Sequence, residues 1–220
     1  MPAARPGRRL RRTDASPPSP PPPSAPPPPP PRDRQRLGEH LRGIRKSARL
    51  TLKALSARSG VALSTLSKIE LGQISVSYEK LAAVARALEV DIGRLFDPRA
   101  GAALAGPGPV VVRSTLADAP RYDADNYDYR MLVTGFPGKR MTPLHGTIVA
   151  RQAAEFADFV HHPGQEFVMV LSGSVRICFE TGEVVDLKRQ ESAYFDSGVG
   201  HKYLSTSRSD AQILVVMSER

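Results

Sequence analysis

The hydrophobic period changes once along the chain, and that change sets what it can fold into. Between Leu37 and Phe96 apolar residues recur at helical spacing: Leu37, Leu41, Ile44 and Ala48, then Leu52, Leu55 and Ser56, then Leu66 and Ile69, then Leu81, Val84, Ala85 and Leu88. Five short helices fit. Thr51 is placed to cap the second, Gly60 permits a tight turn, Gly72 ends the third, Ser77 caps the fourth, and residues 91–96 make a short fifth. Residues 98–109 are rich in Ala, Gly and Pro and read as a linker. Beyond it the segments 110–113, 127–134, 146–151, 167–171, 174–179, 192–195 and 212–217 are β-branched and aromatic, with Gly, Pro or Asp between them. Many short strands without a helix between them predict an all-β sandwich or barrel.

Charge divides the chain in the same way. Residues 1–100 carry 19 Lys and Arg against 8 Asp and Glu, and residues 101–220 carry 12 against 14. A basic half beside a near-neutral half fits a polyanion-binding module joined to something else. The single cysteine, Cys178, leaves neither an intramolecular disulfide framework nor a cysteine-based zinc site, and points to a reducing cytoplasm. No apolar run reaches the roughly 18–20 residues of a membrane span. Residues 1–36 hold the proline runs 20–23 and 26–31 together with Arg8, Arg9, Arg11 and Arg12, and almost nothing apolar. Such a segment reads as a disordered or polyproline tail; its arginines are either a non-specific DNA arm or a plain appendage. The domains expected are therefore a tail over 1–36, a helical domain over 37–97, a linker over 98–109 and a β domain over 110–220.

The stretch from Thr51 to Gly72, TLKALSARSGVALSTLSKIELG, resembles the helix-turn-helix of the lambda-repressor-like (XRE) family. Ser56 is small where two helices approach, Gly60 supplies the turn, and Leu66 with Ile69 anchors the second helix. That leaves Leu63, Ser64, Thr65, Ser67 and Lys68 for the recognition face, near the helix N-terminus where side chains reach base edges. Arg45, Arg49, Lys53 and Lys68 are the expected phosphate partners. No Arg, Asn or Gln on that face can make a bidentate base contact, so direct readout falls to Ser and Lys, with Leu63 against thymine methyls. Glu70 is expected to hold an arginine of the first helix. Two positions depart from the family pattern: Ala62 stands where a polar cap precedes the recognition helix, at an expected cost of roughly 0.5–2 kcal/mol, and Ser56 replaces the commoner alanine.

The segment from His161 to Val175, HHPGQEFVMVLSGSV, resembles the first cupin motif, and Asp196-Ser-Gly-Val-Gly-His201 resembles the second. Both halves together look like the XRE–cupin fusion regulators. The resemblance implies a jelly-roll barrel in which His162, Glu166 and His201 occupy three of four metal-ligand positions. The fourth is Val160, and His161 lies one residue out of phase. Gln190 replaces the usual turn glycine, Glu191 the usual Asp, and Gly200 the proline before the histidine. Two imidazoles and a carboxylate can hold a divalent transition metal such as Zn²⁺, Fe²⁺, Mn²⁺ or Ni²⁺; alternatively the three residues hydrogen-bond a ligand or one another. Tyr194 and Tyr203 are near enough in sequence to line the same effector pocket, or either packs outward, and His145 replaces the missing ligand only if its strand borders the mouth.

The resemblance thus implies a dimeric regulator of a double-stranded DNA operator whose cupin domain senses a small-molecule effector, without catalysis and without a membrane. The competing reading is a cupin metalloenzyme, of dioxygenase or isomerase type, fused to a DNA-binding domain.

Overall fold

The computed structural model of the chain describes residues 31–97, 111–124 and 126–218. Most of the proline-rich tail and all of the expected linker lie outside the described residues. The helical domain comprises α1 (Pro31–Ser47), α2 (Leu52–Ser59), α3 (Leu63–Glu70), α4 (Tyr78–Ala87) and α5 (Gly93–Phe96). Its first helix starts inside the segment assigned to the tail. Proline is suited to a first helical position, where its missing N–H costs nothing, and Asp33 in the first turn complements the helix dipole.

Thr51 and Gly60 act as sequence chemistry requires, whereas Ser77, expected to cap α4, makes no side-chain cap hydrogen bond. Thr51 Oγ1 accepts a hydrogen bond from the Ala54 amide at 3.0 Å, and Gly60 closes α2 at φ +73°. Ser56 does more than avoid a clash, because its hydroxyl donates to the Val61 carbonyl across the turn at 2.7 Å. Leu41, Leu55, Leu66, Leu81 and Leu95 meet in a fully buried core. Each contributes roughly 1.5–3 kcal/mol by leaving water. Gly38 brings α1 onto the end of α3, since a Cβ there would stand 2.4 Å from the Ile69 carbonyl oxygen.

The β domain is a jelly roll of nine strands among the described residues: β1 (Arg121–Asp123), β2 (Tyr127–Met131), β3 (Met141–Ile148), β4 (Gln165–Ser172), β5 (Ser174–Phe179), β6 (Val184–Lys188), β7 (Ser192–Asp196), β8 (His201–Ser205) and β9 (Ala211–Ser218). A six-stranded sheet, in the order β1-β2-β3-β9-β4-β7, faces a three-stranded sheet, β6-β5-β8. Leu144, Ile148, Val168, Val175, Ile177 and Val215 fill the space between them. Against expectation, residues 111–113 form no strand: nothing pairs with them, and Val111 is exposed. The sequence pattern passed over β1, β6 and β8, which are three to five residues long. Gln190 takes φ +70°, the left-handed conformation its glycine-preferring position demands.

The two domains share an interface built on α4, α5 and the segment before α4. The Tyr122 hydroxyl donates to the Val76 carbonyl, and Phe96 meets Tyr122 edge-on at 5.6 Å. Lys139 of the barrel lies 3.6 Å from Asp91 of the helical domain, both largely buried. The His161 amide donates to Glu79 at 3.3 Å. Gly93 is a point of close approach, where a Cβ would meet the Thr134 carbonyl at 3.3 Å.

Candidate functional site

Two surfaces carry chemistry. The first is α3. Leu66, Ile69 and Glu70 face the core, which leaves Leu63, Ser64 and Lys68 exposed and Thr65 and Ser67 half-buried on the outward side. Ala62 supplies no side-chain cap, so the first amides of α3 lack that partner. Lys53 on α2 and Arg49 after α1 are exposed. Arg45, expected among the phosphate partners, requires correction. Its guanidinium is buried and holds Glu70 through two hydrogen bonds of 2.6 and 2.8 Å, while its third nitrogen donates to the Leu50 carbonyl at 2.8 Å. A charge so committed ties α1 to the end of α3 and has no reach left for a phosphate. Glu70 is thereby the partner of a first-helix arginine.

The second is a cavity of about 200 Å³ at one mouth of the barrel. Three local devices build it. The Pro163-Gly164 turn folds the chain so that His162 and Glu166 share one side of β4; Gly164 sits at φ +105°, and a Cβ there would collide with the Ser218 carbonyl. Val160 and His201 exchange backbone hydrogen bonds of 3.0 and 3.1 Å, which sets the two motifs side by side. Gly200 replaces the usual proline, and its N–H donates to Glu180 at 2.9 Å, a bond proline cannot make.

His162, Glu166 and His201 are all buried, and one potential ligand atom of each lies within 4.8 Å of the others. His162 Nε2 donates to Glu166 Oε2 at 2.8 Å, and the Tyr203 hydroxyl donates to Oε1. His201 Nδ1 stands 3.0 Å from the Val199 carbonyl, which can only accept, so the proton is on Nδ1. The His201 Nε2 stands 3.6 Å from Glu166 Oε2. Burial alone would raise the Glu166 pKa, but the flanking histidines outweigh it and hold the carboxyl down at about 2. Burial pushes the Tyr203 and Tyr127 hydroxyls up, and the Glu166 charge adds to both shifts, so both stay protonated.

The donor set fits a divalent transition metal. Ligands held ~2.1 Å from one ion stand about 3–3.4 Å apart, and the separations here are 2.8 and 3.6 Å. The Val199 carbonyl on the far nitrogen of His201 is the contact that orients a ligating imidazole. Val160, at the fourth position, lines the cavity with its isopropyl group. His161, one residue on, points away and bonds Glu180 at 2.9 Å.

One further expectation is corrected, and one condition is not met. Tyr194 is exposed on β7 and donates to Gln165 outside the barrel, so it does not line the cavity. Strand alternation decides this: Tyr194 pairs with Phe167, whereas its neighbour Phe195 pairs with Glu166 and meets His201 edge-on. His145 lies on β3 outside the cavity. Tyr203 does line it, together with Tyr127 and Tyr129, whose alternation along β2 marks one buried face. Tyr78 also lines it, from α4. No spacing rule reaches across a domain boundary, so no sequence signal marked this residue.

Comparison with known proteins agrees with both halves. The sequence model of a helix-turn-helix domain matches residues 36–96, and that of a cupin domain matches residues 148–217. No curated protein matches the chain significantly. Among solved structures, an HTH_3 family transcriptional regulator from Vibrio cholerae superposes with a TM-score of 0.56 at 20% identity, over 86% of this chain and 99% of that one. Hydroxypropylphosphonic acid epoxidase from S. wedmorenis is 22% identical over 83% of this chain and 97% of its own, with a TM-score of 0.46, too low to argue from. Fold and site thus define a helix-turn-helix DNA-binding domain joined to a cupin barrel. The chain carries a helix-turn-helix domain and, C-terminal to it, a cupin domain.

Proposed function

We propose that the protein is a sequence-specific transcriptional regulator that binds a duplex operator as a homodimer and whose cupin cavity takes a small effector. The observation that carries the reading is the outward face of α3, where Leu63, Ser64 and Lys68 are exposed beside Lys53 and Arg49 while the helix is anchored by Leu66 and Ile69. One such helix reads a half-site, and a two-fold protein matches a palindromic operator. Selection from random duplexes with the full chain tests this: a two-fold symmetric motif is expected, with affinity falling steeply as salt rises. No enriched motif, or salt-independent binding, refutes it.

Described residues include no helix long and apolar enough to cross a membrane. The donor separations within the triad favour a second reading, in which His162, Glu166 and His201 hold a divalent transition metal. Such an ion would supply Lewis acidity and open coordination positions for an oxygen ligand. The residues themselves orient it: Tyr203 fixes one carboxylate oxygen and Val199 fixes the His201 ring. Turnover of a candidate substrate by metal-loaded protein would make the chain an enzyme; metal binding without turnover keeps it a regulator.

A further inference from the structure

The cavity at the triad is lined by aromatic rings and by more negative charge than positive. Tyr78, Tyr127, Tyr129, Phe156, Phe159 and Tyr203 supply the rings. Glu79, Asp158 and Glu166 supply three carboxylates against the ammonium of Lys80. Glu166 is committed to His162 and Tyr203, whereas Glu79 and Asp158 each accept a backbone N–H, from His161 at 3.3 Å and from Phe159 at 2.8 Å. Neither of these two carboxylates has an ion-pair partner among the described residues.

A buried hydroxyl on the same lining is uncommitted as well. Tyr129 is 4% exposed, and its hydroxyl bonds to none of the described residues. The neighbouring hydroxyls are engaged: Tyr127 Oη accepts the Tyr203 amide at 2.8 Å, and the Tyr203 hydroxyl donates to Glu166. Strand register builds the position. Tyr129 pairs with Gly146 on β3, where a Cβ would stand 2.9 Å from the Tyr129 ring, so glycine is what lets the ring lie there. A hydroxyl buried without a partner costs free energy, and a ligand that bonds to it removes that cost. Ring faces in turn attract cations. Phe159 already does so, because the Lys202 ammonium stands 4.2 Å from its ring centroid, although Lys202 does not line the cavity.

We propose that the cavity takes a small organic amine, protonated at neutral pH, whose ammonium donates to the Tyr129 hydroxyl and whose apolar body lies among the rings. Burying an ammonium is expensive unless it is paired and hydrogen-bonded. Here the open carboxylates of Glu79 and Asp158, the ring faces and the Tyr129 hydroxyl meet that requirement together. An anion of the same shape meets like charge instead. The proposal rests on the reading of this cavity as the effector site.

Calorimetric titration of the full chain with benzylamine tests it, beside benzyl alcohol and benzoate, which keep the ring and change the charge. Benzylamine is expected to bind about tenfold or more tightly than the alcohol, and benzoate more weakly than either. Tyr129→Phe keeps the ring and leaves the melting temperature unchanged, since the hydroxyl bonds to nothing in the protein. It should lower benzylamine affinity about tenfold or more, the worth of one hydrogen bond to a charged group, and Glu79→Gln should weaken the amine while sparing the alcohol. Equal affinities for amine and alcohol, or tightest binding of benzoate, overturn the cation assignment. Parental affinity in Tyr129→Phe overturns the part given to its hydroxyl, and no binding of benzylamine overturns the whole. If benzylamine binds as expected while operator affinity does not change, the effector reading fails and the amine site stands.

Discussion

Replacing Glu70 by Leu removes one half of the ion pair that joins α1 to α3. Arg45 and Glu70 are about 10% and 6% exposed at their side chains and bond through two contacts, so the change strands a guanidinium in the core. Breaking a buried pair in this way costs about 3–5 kcal/mol. Arg45 retains its bond to the Leu50 carbonyl, which places the loss near the low end, about 3 kcal/mol. A domain of this size shifts by roughly 4–8 °C per kcal/mol, so the helical domain should melt roughly 12–24 °C lower. Replacing both residues, Arg45→Met with Glu70→Leu, should restore most of the loss, because two apolar groups leave no charge unpaired. Calorimetry on the single and double variants gives the coupling, and duplex binding by the double variant gives the functional consequence. An Arg45→Met protein that melts like the parent yet binds duplex DNA many-fold more weakly would refute the structural role and return Arg45 to the phosphate backbone.

Other outcomes follow from the two sites. Lys68→Ala should weaken duplex binding across all sequences and reduce the salt slope by about one, whereas Ser64→Ala should change the selected motif more than the affinity; selection and salt titration distinguish them. Val160→His supplies the absent fourth ligand and should raise metal occupancy, measured by elemental analysis after dialysis; unchanged occupancy would show that the triad is a hydrogen-bonded cluster. His145 has its pKa lowered from the ordinary value of 6.5, chiefly by burial. The folded protein therefore binds the proton less readily than the unfolded chain, and stability falls as pH drops from 6.5 toward the folded value. His145→Gln should flatten that part of the pH–stability profile, and an unaltered profile in denaturant titrations would contradict the assignment.

The sequence by itself determined the elements whose cause is local. The 3.6 period, Thr51 as a cap, and Gly60 and Gly72 at positive φ specify a helix-turn-helix because each acts on the few residues around it. The two histidine motifs name the side chains that meet, His162, Glu166 and His201, and leave His161 out of phase on the other side. Tertiary structure decided what depends on partners distant in the chain. That Glu70 holds an arginine of the first helix is legible in sequence, but only the packing of α1 on α3, 25 residues apart, makes that arginine Arg45 and buries it. Tyr194 and Phe195 are adjacent aromatics, and only the register of β7 on β4 turns one outward and the other onto His201. The wall that Tyr78 contributes arises from the docking of one domain on another, where the free energy lies in shape and burial between surfaces, and no residue spacing records it.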